Sequence, residues 1–139
     1  MGWLFYALIS AAAAAATAIL AKVGVEDVPS NLATAVRTVV ILVFAWAIVA
    51  ATGEHRGMTS MSRRSLTFLV LSGVATGVSW LAYFRALQLA PASRVSPIDK
   101  LSLPLTIVAA AIFLGESVGW RLGVGVALMT VGAILTIGS

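Results

Sequence analysis

Five blocks of mostly apolar residues, each close to twenty residues long, follow one another with only short polar connections between them. They cover residues 3–23, 32–51, 65–87, 95–114 and 118–137. An α-helix rises 1.5 Å per residue, so about twenty apolar residues match the ~30 Å hydrocarbon core of a bilayer. Lipid offers a bare backbone no hydrogen-bond partner, which leaves helices or closed barrels, and continuous apolar blocks of this length select helices. The expected fold is therefore an all-α membrane protein with five transmembrane helices in one domain, residues 1–139. Charge supports this: only 10% of the residues are charged, against about 25% in a soluble domain. The first block has no basic leader and is too long for the apolar core of a signal peptide, so it is read as a retained span.

The connections are too short to fold by themselves. Residues 24–30 hold Glu26, Asp27 and Pro29 and read as a tight turn; residues 53–64 form the longest and most basic loop; residues 87–94 contain Pro91. A net charge of +4 would suggest nucleic acid in a soluble chain. Here the basic residues gather at block ends, where they meet lipid headgroups, and no nucleic-acid partner is expected. With an inside N-terminus, Arg56, Arg63, Arg64 and Arg121 face the cytoplasm, against Lys22, Arg85 and Arg94 outside. The Arg63–Arg64 pair favours that orientation, and the near balance is compatible with insertion both ways.

The fourth block is unusual for a membrane span. It opens with Pro97, Asp99 and Lys100 and carries Pro104 further in. A charge at the centre of a span costs roughly 2.5–3.5 kcal/mol on insertion scales. Pro104 has no N–H, so the carbonyl of Lys100 is expected to lose its helical partner and the helix to kink. Charge, proline and a freed carbonyl together point to a helix lining a polar pathway; a kinked helix whose charges reach the interface is the alternative.

On the third block Ser72, Thr76, Ser79 and Tyr83 recur at helical spacing, with Trp80 on the flank. They read as a cavity-lining stripe or as ordinary interhelical hydroxyl contacts. Connectivity brings the start of the second helix, the end of the third and the start of the fourth to one side. Counting 1.5 Å per residue puts Arg37 about 9 Å inside its helix, Asp99 and Tyr83 about 6 Å and Trp80 about 10 Å. Arg37, Ser79, Trp80, Tyr83, Asp99 and Lys100 are therefore the candidate substrate-binding residues. Arg37 and Asp99 could form an ion pair, serving either substrate or stability. Gly73 with Gly77, and Gly119 with Gly123, form small-xxx-small pairs for helix packing, within the chain or between copies.

Catalysis finds no support. His55 is the single histidine and lies in a loop, cysteine is absent, and no phosphate cradle, metal-ligand cluster or nucleophile–base couple can be assembled. No cofactor and no metal are expected.

The stretch ALQLAPASRVSPIDK, a later FLGE and the glycine-rich WRLGVGVALMTVGAIL resemble the EamA domain of the drug/metabolite transporter superfamily. TAVR in the second block and SWLAYFRAL ending the third fit the same pattern, and the likeness covers essentially the whole chain. The resemblance implies half of a ten-helix carrier, a five-helix unit that most relatives carry twice as inverted halves. It also implies a secondary transporter of a small polar or amphipathic metabolite in the cytoplasmic membrane, working by alternating access. A single unit would then act as a homodimer, antiparallel by preference, or as a heteropair with a similar five-helix protein. The small multidrug resistance proteins are similar in size but carry an acid in the first helix; none stands here. The alternative function is a non-transporting subunit that stabilises or regulates a partner in the lipid bilayer.

Overall fold

Pro29 and Pro91 set two of the helix starts. Proline cannot donate inside a helix, but just ahead of one its missing N–H costs nothing and its carbonyl becomes the first acceptor. Ala33 N–H donates to the Pro29 carbonyl at 3.0 Å, and the amides of Arg94 and Val95 donate to that of Pro91 at 3.0 and 3.2 Å. Ser62 starts another helix: its Oγ accepts from the Ser65 amide at 3.0 Å, an N-cap that meets an otherwise orphaned donor.

The computed structural model describes residues 2–138, and all regular secondary structure among them is helical. The helices are α1 (Gly2–Gly24), α2 (Ser30–Thr52), α3 (Arg63–Leu89), α4 (Ala92–Asp99), α5 (Ser102–Ala109) and α6 (Trp120–Leu135). Short 3-10 turns occupy Glu54–Ser60 and Thr136–Gly138. Gly2–Gly24, Ser30–Thr52, Arg63–Leu89 and Ala92–Leu114 are each long and apolar enough to cross a membrane. The last helix has 16 residues; with the turn after it the stretch rises about 30 Å, the thickness of the hydrocarbon core.

The fourth span departs from the single kinked helix expected over residues 95–114. It starts at Ala92, three residues earlier, because Pro91 serves as its first acceptor. It is jointed at Lys100–Leu101, between α4 and α5, and its last five residues, Ala110–Leu114, wind as a π-helix. The Lys100 carbonyl is not free: the Leu103 amide donates to it at 3.0 Å. Pro104 removes the usual donor, and the chain tightens by one residue to supply the preceding one. Leu101 N–H likewise reaches Ile98 O at 3.0 Å, so the joint is a short 3-10 turn. The span ends at Gly115, whose φ of 69° lies where only glycine is unstrained.

The chain divides into two compact units, Leu20–Gln88 and the residues on either side of it. In Leu20–Gln88, Val25, Phe84 and Leu87 are buried together with Ala21 and Thr34. Trp80, Phe84, Leu87 and Gln88 share one face of α3, because positions i, i+4, i+7 and i+8 line one side of a helix. In the other unit α4 packs on α6 and on the closing 3-10 turn, α5 packs on α6, and Ala133 is buried. Elsewhere the large apolar side chains are mostly exposed, as lipid requires of a span.

Candidate functional site

Arg37 lies on α2 seven residues after Ser30, about 10 Å from the helix start. Its Cζ stands 3.3 Å from the centroid of the Trp80 ring and 5.8 Å from that of Phe84. At 3.3 Å the guanidinium is stacked face to face on the indole, a cation–π contact worth about 0.5–2 kcal/mol. Trp80 meets Tyr83 edge-on, with centroids 5.6 Å apart at 79°, and Phe84 at 5.7 Å and 62°. The four side chains form one cluster between α2 and α3. Arg37, Trp80 and Tyr83 are half-buried and Phe84 is buried.

The cluster is held at the helix ends. Lys22 Nζ donates to the Leu87 carbonyl at 2.7 Å, placing a cation on the last turn of α3, where the helix dipole favours it. Gln88 Nε2 donates to the carbonyls of Val25 at 3.1 Å and Val28 at 2.8 Å. Arg85 Nη1 donates in turn to Gln88 Oε1 at 3.1 Å. The turn between α1 and α2 is thus fastened to the end of α3. Lys22 and Arg85 read in the sequence only as topology charges, and Phe84, Arg85 and Gln88 enter otherwise only as letters of the stretches that resemble the EamA domain. Their common signal is the i, i+4, i+8 spacing from Trp80, which marks Phe84 and Gln88 as facing the same way.

Asp99 Oδ2 and Lys100 Nζ, on the other unit, are 3.3 Å apart and partly exposed. Ser79 is exposed. One hydroxyl of the stripe turns to its own helix, Thr76 Oγ1 donating to the Ser72 carbonyl at 2.9 Å, and on α2 Thr34 donates to Ser30 O and Thr38 to Thr34 O, each at 2.8 Å. Such bonds spend the hydroxyl proton and leave only acceptor lone pairs for a neighbour. A Cβ added at Gly73, Gly77, Gly119 or Gly123 meets no atom of its own unit within 4 Å, so these pairs make no close backbone packing there.

Membrane-length apolar helices with a charged and aromatic cluster between two of them define a multi-pass membrane protein. Residues 1–138 match the EamA-like transporter family, and the chain belongs to that family. It is similar to a Sinorhizobium sp. protein named "Uncharacterized transporter in cobO 3'region", with 52% identity over 133 residues, covering 96% of this chain and 94% of that one. No solved structure matches. The family and the name of this relative give the chain a transporter role, and its helices are those of a five-helix EamA half.

Proposed function

We propose that the protein is a secondary transporter that carries a small polar or amphipathic metabolite across the cytoplasmic membrane by alternating access, as a dimer. One observation carries this reading: the Arg37 guanidinium stacked on Trp80, inside helices long enough to span a bilayer. A cation held at that depth is expensive and marks a solute pathway more readily than a structural joint. Arg37, Trp80 and Tyr83 form the aromatic and cationic part of the proposed substrate site, with Ser79 on the same unit; Asp99 and Lys100 are proposed as substrate-contacting residues on the other unit. In the favoured assembly a second copy inserts the other way round, because inverted halves rocking against each other expose one site to either side. The open surface at Gly119 and Gly123 is a candidate seam, and the N-terminus of the majority orientation faces the cytoplasm.

Proteoliposomes holding the purified protein provide the test, with counterflow measured for radiolabelled amino acids, organic acids and sugars. At least one solute is expected to exchange, and Trp80→Ala to abolish exchange while folded yield is retained. A protein that moves no solute and purifies only with another membrane protein is a non-transporting subunit instead.

A further inference from the structure

We propose that the in-plane edge of the Arg37 guanidinium is a receptor for the carboxylate or phosphate of an organic anion with an apolar body. Its role in the cell rests on the transporter reading above, whereas the binding chemistry stands on the geometry of α2 and α3. A guanidinium carries five N–H donors, all in its plane. Stacking on Trp80 at 3.3 Å engages the flat face and leaves the edge. Among the described residues of Leu20–Gln88, rings are the only partners of Arg37. Water can solvate that edge at rest, but an acceptor that is both charged and forked suits it best. Carboxylate and phosphate accept two parallel N–H bonds from arginine, a match of geometry as well as charge.

The same arrangement disfavours a cation. The indole face that would receive one is covered by the protein's own positive group. Half-buried Tyr83, edge-on to Trp80 at 5.6 Å, extends the aromatic surface beside the stack, and buried Phe84 backs the indole at 5.7 Å. A ligand anchored by its oxyanion would lay its apolar body there.

Replacing Trp3, Trp46 and Trp120 by phenylalanine leaves Trp80 as the single indole and makes its emission a binding signal. In phosphate-free maltoside micelles, benzoate and phenyl phosphate are expected to change that emission saturably, and benzylammonium is not. Arg37→Gln should weaken benzoate at least tenfold. Arg37→Lys keeps the charge but loses the fork, so it should fall between and serve if the glutamine variant does not fold. Equal saturation by benzylammonium, or undiminished benzoate binding by Arg37→Gln, overturns the proposal. So does a tenfold gain in benzoate affinity on Asp99→Asn, because it would mean that Asp99 had occupied the edge. Phosphatidylglycerol vesicles separate the two sources of oxyanion. Benzoate that still binds there supports a solute site, whereas binding lost in vesicles but present in micelles assigns the edge to lipid phosphate. Benzoate binding without any counterflow in the proteoliposome assay would sink the transporter reading and leave the receptor. Counterflow of benzylammonium untouched by Arg37→Gln would do the reverse.

Discussion

Gln88 fastens the α1–α2 turn to the end of α3 with one side chain. Its amide nitrogen serves the Val25 and Val28 carbonyls and its oxygen accepts from Arg85. Replacing it with alanine leaves the two carbonyls without that donor, at a cost of about 1–3 kcal/mol for buried polar groups left unmet. Gln88→Ala should therefore lower the unfolding free energy in detergent by about that much, and Gln88→Glu, whose carboxylate cannot donate, by no less. Thermal unfolding of the two variants beside the parent checks this; unchanged stability in both would mean that the fastening is incidental. The sequence marks the face on which Gln88 lies, by its spacing from Trp80, but not its role, because its partners are backbone carbonyls and a single amide forms no pattern. Trp80 and Tyr83 were legible for the opposite reason: they stand at helical spacing in a block otherwise meant for lipid. Arg37 was legible as a charge at depth, but its stacking on Trp80 was not, since the expected partner was Asp99.

At the scale of the element, the fourth span is where sequence and structure part most. Two prolines, a charged pair and the order of the apolar block are all visible in the sequence. The local tightening that gives the Lys100 carbonyl a donor from Leu103 depends on a one-residue change of winding that no residue type announces. Pro104→Ala restores an N–H four residues after Lys100, so a regular α-helical bond can replace the 3-10 one. The variant should be at least as stable as the parent, since alanine also favours a helix by about 3 kcal/mol over proline in its interior. If the joint serves transport, counterflow should fall in the same variant. Stability measured together with flux decides, and an unaltered rate would make the joint merely structural. At the end of that span Gly115 has a φ of 69°, which any L side chain adopts at a cost. Gly115→Ala should destabilise by about 1–2 kcal/mol, although no atom lies within 4 Å of the added Cβ.

For the whole molecule, helix number and the all-helical class were legible because block length and hydropathy are properties of composition, with no dependence on tertiary contact. Assembly was not. A small-xxx-small pair reads the same whether it meets a neighbouring helix, a second copy or lipid. The four glycines find no close neighbour in their own units, which sends the question outward. The basic residues are nearly balanced between the two sides, and the prediction at this scale is dual insertion. Single cysteines placed within residues 53–64 of this cysteine-free chain should react with impermeant maleimide from both faces of the membrane, in roughly equal amounts. Labelling confined to the cytoplasmic face would remove the antiparallel dimer and favour a parallel pair or a heteropair.

The fastening of the α1–α2 turn to the end of α3 has a practical counterpart at the opposite ends of α2 and α3. There, residues 53–64 carry hydrogen bonds that span three or four positions, such as Ser60 Oγ to Gly57 O at 2.8 Å and Met61 N to Met58 O at 3.4 Å. Backbone held by such local bonds tolerates insertion far better than backbone tied to another element. A soluble fusion partner or an affinity epitope grafted after Gly57 should leave the Arg37–Trp80 stack and the folded yield intact. The same graft after Asp27 would pull Val25 and Val28 from Gln88 and cost the protein its fold. A fiducial for electron microscopy therefore belongs on the basic loop, at the end of the helices away from Gln88.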